Sequence, residues 1–465
     1  MKFLKPFLAV TVALGLTGCG HNSAPTHDSS GTDATPPQTK LAIAIDPLTL
    51  ALLPQAGDSH TDKEIRRYQE MARKGGNRDI PVERLGWLFV AKARTSFDPG
   101  YYKQAAACGD VLEADSPGCS ESLLLRGYVF ENLHRFKEAE PLAREVVAQR
   151  GLSFDFGLLG DSLMEQGRLD EAVGAYQHMV DLRPDLQSYA RISYIRWLKG
   201  QTEGAIQMME AAVDASSQND PDSAAWVSTR LALLEYQSGR QEEAHHAIEG
   251  ALLIRPNYPP ALLLSGRMLL AEDKAGEAVA ALQAAAKANP LPEYQWVLAE
   301  GLRAADRESE AAAVEARLRV TGAVNDPRTF ALYLATRGED TATAVRLAEA
   351  EMQQRQDFFT QDALAWALTA AGRVQEALPH MRLALAGGTE DGRLFFHAAV
   401  IAHGAGQDGE YQKWFNRTAS CVQTLLPSER KQFLELAKEF PPAAKPGGQT
   451  PPANDLTAAN LDSSK

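Results

Sequence analysis

Apolar side chains recur at three- and four-residue steps along most of the chain, in short runs separated by polar turns. The pattern is clearest in the first helix predicted after Phe156, where Phe156, Leu159 and Leu163 fall on one face. Gly167 interrupts this pattern before a second amphipathic run, and Pro184 ends that run because proline cannot continue a helix. The segment therefore predicts two short antiparallel helices joined by a tight turn.

This two-helix arrangement repeats along the chain with a period of about 34 residues. A small residue recurs in each second helix, where the two helices would approach closely: Ala139, Ala172, Ala205, Ala244, Ala278, Ala312, Ala344 and Ala377. The one long gap, between Ala205 and Ala244, contains the polar run 216–223, which predicts a loop insertion at a turn. Such a period is typical of a solenoid, in which each unit buries its apolar face against its neighbours.

Segment 156–184 resembles a tetratricopeptide repeat, although Leu163 stands where tyrosine is usual. The residues that carry the resemblance are Leu159, Gly160, Ala172, Tyr176 and Pro184. The resemblance implies an all-α fold, a right-handed superhelical solenoid of antiparallel helix pairs with about nine repeats. It also implies that the first helices of successive repeats line a concave groove, which binds an extended peptide or a helix of a partner protein.

Composition and patterning divide the chain into six segments. Residues 1–19 are predicted to be a lipoprotein signal peptide, 20–60 a flexible tether, 61–80 an N-terminal capping helix, 81–425 the repeats, 426–440 a C-terminal capping helix and 441–465 a disordered tail. The apolar run 41–54 is too short to span a bilayer, so it is predicted to pack on the first turn of the solenoid. Thr61 and Glu64 have capping-box spacing, which predicts the start of the N-terminal helix.

The first residues have the features of an exported lipoprotein. Lys2 and Lys5 precede an apolar stretch of about a dozen residues. Residues 16–19, Leu-Thr-Gly-Cys, resemble a lipobox, in which the cysteine thiol is acylated. The resemblance implies a membrane anchor through lipid on Cys19, and Gly20 in place of aspartate implies the periplasmic face of a bacterial outer membrane. The alternative is an ordinary signal peptide with an incidental cysteine.

The sequence contains no motif that predicts an enzyme. The formal net charge of −13 argues against a nucleic-acid partner, which would need clustered Lys and Arg. Neither a nucleophile elbow nor a phosphate-binding loop occurs. The adjacent His245 and His246 point to different sides of a helix, which is poor geometry for one metal ion. We therefore expect no catalytic residue, no cofactor and no metal site.

Three cysteines, Cys108, Cys119 and Cys421, lie beyond the signal segment. Cys108 and Cys119 belong to neighbouring helices that run side by side, so a disulfide between them is one prediction for an exported protein. The alternative is three unpaired and mostly buried thiols, because a residue near Leu112 would face Cys119 better than Cys108 does.

Helical geometry identifies the first-helix side chains that would point into the groove. They are Tyr128, Asp161, Met164, Tyr194, Trp197, Trp226, Tyr236, Arg267, Tyr294, Tyr333 and Trp366. Because Tyr and Trp are enriched at binding hot spots, this set is predicted to bind the partner, with its centre at Tyr194, Trp197, Trp226 and Tyr236. The alternative is that several of these residues fill space between adjacent first helices.

The sequence thus favours a lipid-anchored scaffold or adaptor that holds a protein or peptide partner in an envelope complex. Outer-membrane assembly, pilus or secretion biogenesis and cell-wall machinery are all compatible with such a role. A second hypothesis is a periplasmic receptor that binds a glycan or another small ligand through the concave aromatics. A third is an enzyme with an unrecognised site. A repeat architecture by itself does not choose among partners.

Overall fold

The computed structural model describes residues 45–74 and 76–439. The signal segment with Cys19, most of the predicted tether and the tail 441–465 lie outside the described residues, as do the predictions made for them. Throughout the described part the regular structure is helical. Two helices, α1 (Pro47–Ala51) and α2 (His60–Arg73), precede the repeats. No helix in residues 45–74 or 76–439 is long and apolar enough to cross a bilayer.

Ten antiparallel helix pairs follow in the described chain, each made of a first and a second helix. The first five pairs are α3 (Asp79–Ser96) with α4 (Gly100–Asp115), α5 (Ser120–Asn132) with α6 (Phe136–Gln149), α7 (Ser153–Glu165) with α8 (Leu169–Leu182), α9 (Leu186–Leu198) with α10 (Thr202–Asp214), and α11 (Pro221–Gln237) with α12 (Gln241–Ile254). The last five are α13 (Pro259–Ala271) with α14 (Ala275–Ala288), α15 (Pro292–Ala304) with α16 (Glu308–Asn325), α17 (Pro327–Arg337) with α18 (Thr341–Gln354), α19 (Phe358–Ala370) with α20 (Val374–Ala384), and α21 (Gly392–Gly404) with α22 (Asp408–Ala419). The predicted all-helical solenoid is confirmed, but the predicted number of repeats was one too low.

The small residues predicted at the helix–helix contacts lie there, with one exception. Seven of the eight alanines are 0% exposed, whereas the eighth contact is made by Ala311 and not by Ala312. In α16 the buried face runs through Ala311, Val314 and Leu318, so the predicted position is wrong by one residue. Close approach also explains Gly160, where a Cβ would lie 2.3 Å from the ring of Tyr176.

Only part of the predicted loop insertion at 216–223 is a loop, because residues 221–223 belong to a helix. Asp220 caps α11, its side chain accepting a hydrogen bond from the Ser223 N–H, and the helix begins at Pro221. Proline is favoured in the first turn of a helix, because an N–H at that position would have no acceptor within the helix. The extra residues therefore lengthen α11 to 17 residues, where α9 has 13.

The N-terminal helix α2 begins slightly earlier than predicted and ends at Arg73, short of residue 80. Its capping box joins Ser59 and Asp62, and not Thr61 and Glu64. Part of the predicted flexible tether is folded, since α1 packs on α4 and its Ala51 is 0% exposed. The Gln69 side chain holds α1 against α2 by donating to the Ala51 carbonyl at 3.0 Å.

The chain ends its described part with a short 3-10 helix (Val422–Thr424) and α23 (Pro427–Glu439). The aromatic ring of Phe433 packs on Phe415, with 4.7 Å between ring centroids, so α23 covers the last helix pair. It also reaches back along the array, because the Ser428 hydroxyl donates to Glu300 of α15 at 2.6 Å. This helix therefore joins the tenth pair to the seventh, which a simple cap on the open end would not do.

Candidate functional site: the inner face of the first helices

Adjacent first helices pack side by side, and we call the surface that they form inside the superhelix the inner face. The residues predicted to line a groove there are mostly covered by other parts of the chain. Nine of them are at most 5% exposed, namely Tyr128, Asp161, Met164, Tyr194, Trp197, Tyr236, Tyr294, Tyr333 and Trp366. Trp226 and Arg267 are half-buried. The spacing rule therefore found side chains that point inward but not side chains that are accessible.

Two turns of the C-terminal pairs cover the inner face of the N-terminal pairs. The turn between α18 and α19 lies on the end of α7, where the Gln356 N–H donates to the Glu165 carbonyl at 2.9 Å. The turn between α20 and α21 lies on the end of α9, where the Thr389 hydroxyl donates to the Leu198 carbonyl at 2.9 Å. We call these bonds, and those of a third turn, the closure contacts.

The third turn lies between α22 and α23. The Gln423 carbonyl of this turn accepts a hydrogen bond from the Tyr236 hydroxyl. The Thr424 carbonyl accepts a second one from Arg267 Nη2, at 3.0 Å. Three successive turns thus lie on successive first helices of the N-terminal half. These turns therefore bring two levels of the superhelix into direct contact.

The closure contacts are tight at the C-terminal end of α9. Trp197 stacks on Phe359, with ring centroids 5.7 Å apart, and its indole N–H donates to the Glu390 carbonyl at 3.3 Å. Gly200 has φ +69°, and a Cβ there would lie 2.5 Å from the Gly388 carbonyl oxygen. These aromatics therefore pack against parts of the chain that are distant in sequence, and binding of a partner by this face stays a prediction.

A buried ion pair lies in the middle of the inner face. Arg191 Nε and Nη2 donate to the carboxylate of Asp161 at 2.9 Å and 2.5 Å, and the two side chains are 1% and 3% exposed. The Tyr176 hydroxyl donates to the same carboxylate at 2.6 Å. Because Arg191 is on α9 and Asp161 and Tyr176 are on α7 and α8, this network fixes two neighbouring pairs against each other.

Two further carboxyl groups of the inner face are buried with weaker partners. Burial raises the pKa of Glu165 to about 8, and the negative charge of Asp357 adds to this shift. The nearest cation is Arg355, whose Nη1 lies 3.9 Å from the Glu165 carboxylate. Burial and the negative charge of Asp161 also raise the pKa of Glu131 well above its usual value. Both carboxyl groups therefore bind a proton more tightly than an exposed carboxyl group does.

Sequence reasoning missed this charged part of the inner face. It selected Asp161 but neither Arg191 nor Arg355, which are 1% and 0% exposed. One signal was present, since Glu131 and Glu165 lie in the last turns of consecutive first helices, one register position apart. Each stands close in sequence to a predicted groove residue, Tyr128 or Met164, which places an acid near the inner face.

The cysteines of the described chain are free thiols. Cys119 lies beside the end of α4, where its N–H donates to the Ser116 carbonyl at 3.1 Å. Cys108 is eight residues before Ser116, or roughly 12 Å along the helix at 1.5 Å per residue, which is farther than a disulfide spans. It packs on α3 instead, since a Cβ on Gly86 would lie 3.1 Å from the Cys108 Cβ. The predicted Cys108–Cys119 bridge is absent because the two positions differ in height by two helical turns.

The charged side chains of the inner face hold parts of the fold together. Arg191 and Asp161 join neighbouring first helices, while Arg355 at the end of α18 contacts both Glu351 of that helix and Glu165 of α7. No group of three His, Cys, Asp or Glu side chains within the described ranges could hold a metal ion. Buried pairs of this kind fix the relative position of elements more than they add stability. The buried groups of the inner face therefore serve to hold the helices, and the outer surface that the helices form, in position.

Comparison with known proteins identifies the repeat. The tetratricopeptide repeat family model matches residues 158–224, which run from α7 into α11. No protein of curated function matches the sequence. This part of the chain is therefore made of tetratricopeptide repeats.

Several solved structures are similar to this chain at low identity. YrrB, described as a tetratricopeptide repeat protein with an unusual peptide-binding site, is 16% identical over 43% of this chain and 97% of its own, with a TM-score of 0.28. Yeast Tom70 is 13% identical over 82% and 96%, with a TM-score of 0.32. The Cut9–Hcn1 hetero-tetramer of the APC/C is 12% identical over 85% and 99%, with a TM-score of 0.35.

Proposed function

We propose that this chain is a protein-binding scaffold, anchored by lipid on Cys19 to the periplasmic face of a bacterial outer membrane, where it holds a partner in an envelope complex. The observation that carries the proposal is the array of ten helix pairs, part of which matches the tetratricopeptide repeat. Stacked pairs of this kind form a long regular surface that suits a polypeptide partner. The anchor rests on residues 16–19, with their lipobox pattern.

The outer surface of the array is the part open to a partner, because the closure contacts cover the inner face. Large apolar side chains are exposed there at the C-terminal ends of second helices, and Leu253 and Val320 are 85% and 80% exposed. Leu182 and Leu383 hold similar places on α8 and α20 and are more than half exposed. These positions supply apolar contact area of the kind that protein interfaces use.

A glycan receptor finds less support. Stacking on a sugar ring needs an accessible aromatic face, and the rings of Trp197 and Trp366 are 1% and 5% exposed. Trp197 stacks on Phe359, and Trp366 stacks on His397 with 4.0 Å between ring centroids. The ring faces that such a receptor would use are engaged within the fold.

Photo-cross-linking in living cells tests the scaffold function. A photoreactive residue is placed at one exposed position in each helix pair of the full chain, Leu253 and Val320 among them. We expect one envelope protein to be cross-linked from several neighbouring positions, and the reciprocal cross-link to form when the photoreactive residue is placed in that protein. Asp170, whose side chain is 96% exposed near the N-terminal end of α8, samples the opposite edge. If no position in the ten pairs gives a discrete product, the scaffold proposal is wrong.

The lipid anchor gives a second expected result. Wild-type protein should incorporate labelled palmitate and sediment with membranes, whereas Cys19→Ser should incorporate none, because only the thiol of residue 19 would be acylated. Cys119→Ser is the matched control and should remain labelled, since Cys119 is a half-buried structural residue. A Cys19→Ser protein that is still processed and membrane-bound would show that the anchor lies elsewhere.

A further inference from the structure

A cavity of 630 Å³ lies where α23 passes the ends of α13 and α15. Leu270 and Ala304 supply apolar surface from one wall, and Leu434 supplies it from α23. The volume is within the range of about 300 to 1,000 Å³ that ligand sites in proteins usually have. It is large enough for several side chains of a bound segment.

Arg430 of α23 lines this cavity and has no ion-pair partner among the described residues. Its Nε and Nη2 are buried, and neither has a hydrogen-bond partner there. Leaving the donors of a buried cation without acceptors is costly, so such groups are normally paired. An unpaired guanidinium beside a cavity therefore leaves a place for an acceptor that is not among the described residues.

A second guanidinium lies close to the first. Burial raises the pKa of Tyr236 to about 12, and the positive charges of Arg267 and Arg430 oppose this shift, so both groups lie near the same hydroxyl. Arg267 donates from Nη2 to the Thr424 carbonyl, while its Nε has no partner among the described residues. Two cations thus act on the same hydroxyl, and neither has an ion pair among the described residues, although Glu293 and Asp391 interact with Arg267 at longer range.

The remaining charges of the cavity favour an anion. Lys431 and Lys438 add to Arg430 on the α23 wall, against Asp273 and Glu435. The lining is therefore net positive, although the whole chain has a formal charge of −13. An Arg fork binds a carboxylate through two parallel hydrogen bonds, which is the strongest pairing open to it.

We propose that this cavity binds an acidic side chain of a partner polypeptide, with the carboxylate on Arg430 and neighbouring apolar side chains of the same segment against Leu270 and Leu434. An inorganic anion would pair with Arg430 but would leave the apolar walls and most of the volume empty. The inference rests on the proposed function, because it assigns the chemistry of the partner that the scaffold holds.

Affinity selection from a randomised octapeptide library tests this assignment. The full chain, Arg430→Met and Arg346→Met are compared, Arg346 being an exposed arginine with no ion pair in the described structure. We expect the full chain and Arg346→Met to enrich peptides that place Asp or Glu beside apolar residues, and Arg430→Met to lose this enrichment. A labelled peptide from the selection should bind Arg430→Met at least about tenfold more weakly, since charged hydrogen bonds are lost.

Two further measurements make the outcome decisive. Arg430→Met should melt at or above the wild-type temperature, because an unpaired guanidinium is removed. Arg430→Lys keeps the positive charge but not the two parallel N–H donors, so it should bind the peptide with intermediate affinity. Equal enrichment by Arg430→Met, or no acidic preference in the wild type, overturns the inference. Saturation of the cavity by millimolar inorganic phosphate without peptide enrichment would assign it to a free anion instead. If the cross-links to an envelope protein persist in either case, the scaffold function stands and only the acidic-peptide site fails.

Discussion

Replacing Arg191 by methionine is expected to lower the free energy of unfolding by about 3 to 5 kcal/mol. The substitution leaves the carboxylate of Asp161 buried at 3% exposure without a cation, while the Tyr176 hydroxyl still donates to it. A buried carboxylate without a cation must either ionise in an apolar place or take up a proton, and both are costly near neutral pH. Urea denaturation followed by circular dichroism at pH 7 measures the loss.

Two control variants separate the buried pair from charge in general. Arg373→Met removes an exposed pair with Glu376 and should cost far less stability than Arg191→Met, because solvent screens such pairs. The double variant Asp161→Leu with Arg191→Met should recover most of the stability, since no charge is then left unpaired. A loss in Arg191→Met no larger than that in Arg373→Met would contradict the structural role of the pair.

Raising the pH from about 5 to about 8 is expected to destabilise the fold, and Glu165→Gln should reduce this effect. Burial raises the pKa of Glu165 from 4.5 to about 8, so the folded chain keeps a proton that the unfolded chain releases. The stabilisation is complete below pH 4.5 and is lost as the pH rises through 8. At 1.36 kcal/mol per pH unit the full effect is about 5 kcal/mol.

Urea midpoints at closely spaced pH values test this expectation. Glutamine keeps the shape of the protonated side chain, so Glu165→Gln should match the wild type near pH 5 and exceed it at pH 8. Glu249→Gln alters an exposed carboxylate of α12 and should follow the wild-type curve. Glu131 shifts in the same direction and accounts for the slope that remains in Glu165→Gln. A wild-type midpoint that does not fall between pH 5 and pH 8 would show that Glu165 is ionised in the fold.

The architecture could be predicted because each part of it is local. Ala172 and Tyr176 repeat at a fixed spacing, and the contact that Gly160 permits with Tyr176 lies within one helix pair. Even the misplaced alanine of α16 was wrong by a single residue, since Ala311 and Ala312 are both small and only the helical face decides between them. Information of this kind is present in any short stretch of the chain.

The closure contacts could not be predicted for the opposite reason. Whether Gly200 meets Gly388 depends on the small rotation between successive pairs summed over several pairs, and no single segment records that sum. The spacing rule therefore gave the correct face for Trp197 but not the Phe359 ring that covers it. Arg430 escaped notice because its significance comes from the missing partner, which is a property of the assembled cavity.

The closure contacts also change how such an array should fold. In an open solenoid each repeat interacts only with its neighbours, so unfolding can begin at one end and pass along the chain. Here, hydrogen bonds join residues 187, 191 and 193 positions apart in sequence. Long-range contacts of this kind slow folding, because a large loop must close before they form. The helix pairs should therefore assemble early and individually, while the two halves of the chain lock together late and lose their structure as one cooperative unit.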